Sequence, residues 1–203
     1  MRWFFGGLLG FALLGSTGPA SAAIEQDILV ELNLARTQPA QYAGKLRAFR
    51  ALFQGDRYRK PGADMIMVTQ EGVAAVDEAI AFLERQAPLP PLAAQPQIAA
   101  AASDHAADIG PKGLTQHDGS DGSKPWDRVK RRGFTNWRSL GEGIAFGPDT
   151  GESVVIGLIV DDGVPDRGHR KSIFTASYRL AGVACGPHKT YRIVCVIDYA
   201  EPK

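Results

Sequence analysis

Two runs near the C-terminus, Arg179 to Cys185 and Tyr191 to Tyr199, are rich in Val, Ile, Tyr and Cys and are joined by GPHKT. Strand-forming residues on both sides of a short polar, glycine- and proline-containing stretch are a hairpin signal. Helical spacing dominates the chain before this point. Helices first and a hairpin last argue for an α+β domain in which helices cover an antiparallel sheet. The chain shows no internal repeat.

Residues 25 to 37 carry apolar groups at 28, 29, 32 and 35, which is a helical spacing, and Pro39 ends or restarts that helix. Residues 40 to 53 read as a second helical piece, and 54 to 64 as a loop broken by glycine and proline. Thr69 is placed to cap a helix reaching about Gln86, with Val73, Val76, Ile80 and Leu83 on one face. APLPPL at 87 to 92 is a stiff connector. Pro96 suits the first turn of a helix ending near Gly110, on which Ile98, Ala102, His105 and Ile109 share a face. A short helix follows at 124 to 132, with Ser123 as cap and Gly133 closing it. GESVVIGLIV at 151 to 160 fits an apolar helix or a buried strand, and Gly151 and Glu152 suit a helix start.

The N-terminus reads as an export signal. Arg2 is followed by the apolar run WFFGGLLGFALLG at 3 to 15, too short to span a bilayer, and Ala20-Ser21-Ala22 offers the small residues of a cleavage site. Cleavage before Ala23 leaves 181 of the 203 residues. The alternative is an uncleaved anchor. No cysteine lies near that point to carry a lipid. Loss of Arg2 balances the charges at 22 against 22, so the mature chain lacks the field of a nucleic-acid binder. The expected location is secreted or periplasmic, with no membrane span after cleavage. In such a compartment Cys185 and Cys195 favour a disulfide. A short GPHK turn would leave them out of register, whereas a longer loop centred on Thr190 would bring them together.

Three segments stand out chemically: LTQHDGSDGSKPWDRVKRRGF at 114 to 134, SLGEGIAFG at 139 to 147 and RGHRKSIF at 167 to 174. Each places one ligand or acid–base group, His117, Glu142 or His169, among glycines that permit close approach. Two imidazoles and a carboxylate are a ligand set known for zinc with an open fourth position. No HExxH spacing fixes two of them on one helix.

These segments, with LNLAR at 32 to 36, AAAASDHAADIG at 99 to 110 and LAGVACG near the end, resemble the CAP superfamily of cysteine-rich secretory, antigen 5 and pathogenesis-related-1 proteins, in particular its bacterial secreted members. The likeness covers 24 to 38 and 92 to 200, and residues 45 to 90 read as an insertion. It implies a three-layer α-β-α sandwich with a small antiparallel sheet, a C-terminal β-hairpin and a central cleft. The cleft of the family holds two histidines and two acids, which bind a divalent metal in some members. Carried over by motif, these are His117, Glu142, His169 and Asp161, the last beside Asp162. Leu158 stands where the family has a tryptophan, aspartate replaces the longer glutamate, and DDGVPDR lengthens the approach to His169.

The resemblance implies a non-enzymatic binding module holding a divalent metal such as Zn2+ and a small apolar, lipid or sterol-like ligand. One alternative is a metal-dependent hydrolase, with water activated near Glu142. The chain has no GxSxG and no lone cysteine poised with a histidine. A second alternative is a cell-envelope or host-interaction domain whose specific part is the insertion. Outside the four site residues, His105 reads as a hydrogen-bonded core histidine and His188 as exposed in the hairpin turn. Asp118 and Asp121 lack EF-hand spacing and read as turn formers bonding nearby amides. Trp126 and Phe134 read as core, and Lys130-Arg131-Arg132 as cations suited to a helix C-terminus. Arg170 has Asp161, Asp162, Asp166 or an anion as possible partners.

Overall fold

The computed structural model describes residues 19–203 other than Ala63. The apolar run at 3 to 15 lies outside the described residues, and the first helix, α1, spans Pro19–Thr37. Its residues Ile28, Leu32 and Ala35 are fully buried, as their spacing predicts. Pro39 sits at the first turn of α2 (Pro39–Arg50), where a missing N–H costs nothing. Three two-residue strands follow, β1 (Phe53–Gln54), β2 (Arg57–Tyr58) and β3 (Met67–Val68), which pair as a small antiparallel sheet. The loop expected at 54 to 64 is thus a tight hairpin over its first part, to Tyr58, and loop and turn beyond it.

Helix α3 (Val73–Arg85) starts later than Thr69. Gly72, at φ 63°, is its N-cap, and the Thr69 hydroxyl donates instead to the Asp56 carbonyl. Residues 45 to 90 divide in two. Leu46, Val76, Ala79, Ile80 and Leu83 belong to the main core, Phe49 and Phe53 pack against it, and Met65 to Val68 around β3 are exposed.

The central sheet has the order β4–β6–β7–β5. Strand β4 (Ala93–Ala94) runs parallel to β6 (Leu180–His188), and β7 (Arg192–Pro202) is antiparallel to both β6 and β5 (Trp137–Phe146). Helices α1, α2, α3 and α6 (Gly151–Val160) share one core with inward residues such as Val183, Cys195 and Ile197. Helices α4 (Pro96–Lys112) and α5 (Pro125–Arg131) cover the opposite face, against Ile144, Ala184, Val194 and Ala200. Helix α7 (Gly168–Ile173) leads into β6. The result is the three-layer α-β-α sandwich with an antiparallel hairpin.

The close approach of α4 to β6 requires glycine. A Cβ at Gly182 would stand 2.1 Å from the Ala99 amide nitrogen. The LNLAR motif also has a physical role. Asn33 exchanges two hydrogen bonds with the backbone of Leu92, and the fully buried Arg36 donates to the carbonyls of Pro90, Ile173, Thr175 and Tyr178. One guanidinium thus ties α1 to the 87–92 connector and to the entry of β6.

Cys185 and Cys195 face each other across the β6–β7 hairpin and form a disulfide. The connection is the longer one, Lys189 to Tyr191, centred on Thr190. His188 is buried, against the expectation from its turn position. Its Nδ1 accepts from the amides of Thr190 and Tyr191, and Nε2 meets the Leu114 carbonyl at 3.0 Å. The imidazole fills the inside of the turn and so avoids solvent.

Candidate functional site

Strand β5 organises the site, and it was not anticipated as a strand. Gly141 and Gly143 interrupt its apolar pattern, and both face the α6 side of the sheet. A side chain at 141 would strike the Tyr178 hydroxyl at 2.7 Å, and one at 143 would contact His169 Cδ2 at 3.7 Å. Between them Glu142 points to the α4–α5 side, with its side chain 2% exposed.

His117 lies in the loop after α4. That loop is held from behind by His105, which is buried and meets the Gln116 carbonyl at 3.0 Å. The turn that follows is built by Asp121, which accepts from the Ser123 amide, and by Asp108, which accepts from the Ser120 amide. Asp118 differs from expectation and pairs with Lys124 at 2.5 Å. Ser123 is not the cap of α5. Asp127 reaches back to accept from the Lys124 amide.

His117 Nδ1 lies 2.8 Å from Glu142 Oε1. Glu142 Oε2 accepts from Arg128 Nη2 at 2.6 Å. The same guanidinium donates to the carbonyls of His117 and Ser123, so it clamps both ends of the loop to the carboxylate. The hydrogen bond to Glu142, more than its charge, raises the His117 pKa by favouring the imidazolium. Burial lowers that of His105.

The second pair lies at the α6–α7 junction. Asp161 occupies the left-handed region at φ 56° as the C-cap of α6, and it is buried. Its Oδ1 is 2.6 Å from His169 Nδ1, and its Oδ2 accepts from the His169 amide at 2.9 Å. The shorter aspartate suffices because the left-handed turn brings its carboxylate directly onto the start of α7. Asp162 turns away and accepts from the amides of Gln70 and Glu71. Arg170 takes none of the expected acids. It is buried, donates to the Ile159 and Val160 carbonyls and pairs with Glu78 at 2.9 Å.

The four site residues therefore form two carboxylate–imidazole pairs at one stretch of β5. Among the described residues, no three His, Cys, Asp or Glu side chains gather into a cluster able to hold a metal ion.

Three members of the site escaped the sequence reading. Arg128, 2% exposed, sits two residues before the basic run 130 to 132 and has no pattern of its own to set it apart. Asp198 is the cross-strand partner of Glu142, 1% exposed, with neither carboxylate oxygen hydrogen-bonded. Its signal was a lone acid in the apolar strand IVCVIDYA. Trp126, expected in the core, is 47% exposed and lines a cavity of about 350 Å³ with His117, Lys124, Leu140 and Glu142. Phe134 is buried as expected.

The family of cysteine-rich secretory proteins, CAP, matches residues 40–199 of this chain. The chain belongs to the CAP family. No curated protein matches it. Among solved structures, this CAP domain is similar to an extracellular SCP-domain protein from Bacillus anthracis, with 20% identity and a TM-score of 0.47, over 64% of this chain and 38% of the other. An outer surface protein from Borrelia burgdorferi gives 16% identity and a TM-score of 0.48, over 57% and 80%. A cysteine-rich secretory protein from Staphylococcus aureus gives 11% and 0.42, over 64% and 37%. The chain spans well under half the length of the Bacillus and Staphylococcus proteins. Among the described residues, no helix is long and apolar enough to cross a membrane.

Proposed function

We propose that this CAP domain is a secreted or periplasmic binding module whose cleft presents two carboxylate-oriented imidazoles to a divalent cation and a small ligand. The observation that carries the reading is the pairing of each histidine, through Nδ1, with a buried carboxylate. Metal-binding histidines commonly use one ring nitrogen for the ion and hold the other on a carboxylate, which fixes the ring and raises its basicity. Both carboxylates are fully engaged, Glu142 by His117 and Arg128 and Asp161 by two atoms of His169. In this reading His117 and His169 would hold the ion through Nε2, while Glu142 and Asp161 orient them. A bound ion such as zinc would supply a Lewis acid with further positions open to ligand or water. Pro125, Trp126 and Leu140 give the cavity beside His117 an apolar wall suited to a small apolar or lipid-like ligand.

Zinc titration by calorimetry tests this. The exported protein takes up zinc, and the His117→Ala, His169→Ala double variant does not. Equal uptake by the two proteins would remove the proposal.

A further inference from the structure

The turn DDGVPDR at 161 to 167 leads from α6 to His169, and it is held from outside its own segment. Its two end residues, Asp161 at φ 56° and Arg167 at φ 53°, both lie in the left-handed region. That conformation is costly for residues other than glycine and persists where surrounding groups over-determine it. The groups that do so here come from the stretch that enters α3. Asp162 accepts from the amides of Gln70 and Glu71, and Glu71 in return accepts from the Gly163 amide at 2.8 Å. The two segments lie so close that a Cβ at Gly163, itself at φ 77°, would strike the Gln70 side-chain amide.

Arg167 completes the clamp. Its guanidinium meets both Glu71 oxygens, at 2.6 and 2.7 Å, and Glu78 of α3 at 2.7 Å. The same group donates to the carbonyls of Asp161 and Val164, at 2.9 and 3.2 Å, within its own turn. An isolated surface ion pair contributes little to a fold. This one is different in kind, because the arginine is only 13% exposed and grips a carboxylate with both arms while it holds two backbone carbonyls. Glu71 thus fixes Arg167, Arg167 fixes the Asp161 backbone, and Asp161 holds the His169 ring and amide.

We infer that Glu71 and Arg167 are positioning residues for His169, so that the stretch entering α3 decides where this imidazole stands and which of its nitrogens carries the proton. For ion binding this rests on the proposed zinc reading. For ring orientation it does not.

Imidazole NMR of the metal-free exported protein at alkaline pH tests the orientation, since the hydrogen bond made by one ring nitrogen selects the tautomer of a neutral histidine. In wild type His169 is protonated on Nδ1, facing Asp161. Glu71→Gln and Arg167→Gln move it towards the Nε2-protonated form and leave His117 as it was. Arg50→Gln, which removes the pair between α2 and Asp77 of α3, changes neither histidine. Glu71→Gln is isosteric at a side chain 34% exposed, and unchanged circular dichroism confirms its fold. An unchanged His169 tautomer in both variants overturns the inference. So does a change that reaches His117 equally, since the clamp then serves the fold at large. Zinc calorimetry separates the two readings. Glu71→Gln weakens zinc binding by about ten-fold, the scale for losing a group that orients a metal-bound histidine. Equal affinity in the variant and a zinc-binding wild type overturns the inference. A wild type that takes up no zinc removes the metal reading alone, and the tautomers still decide the positioning.

Discussion

Asp198 is the residue whose environment is least like water. It is fully enclosed, stands opposite Glu142 and has no hydrogen-bond donor on either oxygen. Burial first, and the Glu142 charge second, push its pKa well above the carboxylate range. The folded state therefore keeps a proton that the unfolded chain loses near pH 4. Stability from this group is greatest below that pH and falls as pH rises towards the folded value. Asp198→Asn keeps the shape and removes the titration. The variant is expected to be more stable than wild type at pH 7 and equal to it below about pH 4. Urea denaturation at both pH values checks this. A wild type as stable as the variant at pH 7 contradicts it. Arg128 shows the complementary case, a buried cation that meets Glu142 and two carbonyls at once. Asp198 stands out in the sequence only as a lone acid in an apolar strand, and Arg128 carries no such mark, because it joins the site only when α5 packs on β5.

Elements with regular spacing were readable, and elements shaped by glycine were not. Ile28, Leu32 and Ala35, or Ile98, Ala102, His105 and Ile109, fall on one helical face and are buried there. Strand β5 lacks such a signal, since Gly141 and Gly143 leave space for Tyr178 and His169 in place of their own side chains. The short strands β1 to β3 are two residues each, below what periodicity can register. The helix-or-strand ambiguity at 151 to 160 resolves through the cap, where the Thr150 hydroxyl accepts from the Ser153 amide. The packing of α4 on β6 gives a sharp test. Gly182→Ala places a methyl 2.1 Å from the Ala99 nitrogen, which is backbone and cannot swing aside. The expected cost is about 3 kcal/mol, at the upper end for overpacking, with the helix forced off the sheet. Chemical denaturation measures it, and a loss under about 0.5 kcal/mol, the scale of a neutral surface change, would show that the layers separate freely.

At the scale of the molecule, the ordered motifs carried the site further than any single segment, because the fold returns to β5 from both faces. His117 hangs from the α4–α5 layer through Arg128 and Glu142, and His169 from the α6–α7 junction through Asp161. The motifs pointed to both pairs but not to how they are partitioned, with the acids serving the imidazoles and not forming one cluster with them. In the proposed reading His117 and His169 would supply the ion with one imidazole from each of these layers. Binding to the folded state alone adds about 2.7 kcal/mol at a hundred-fold excess over Kd, so zinc should raise the melting temperature measurably. The pH dependence has a definite sign. Glu142 raises the His117 pKa, and zinc must displace that proton. The zinc-induced rise in Tm is therefore small when His117 is protonated and grows as pH increases through its raised pKa. In Glu142→Gln the imidazole loses its anionic partner, its pKa falls, and the onset of stabilisation moves to lower pH, while the affinity reached at high pH drops by about ten-fold or more as the orienting carboxylate is lost. Thermal melts of both proteins across this pH range, with and without zinc, measure the two effects, and identical onset pH values would show that Glu142 does not govern the ring.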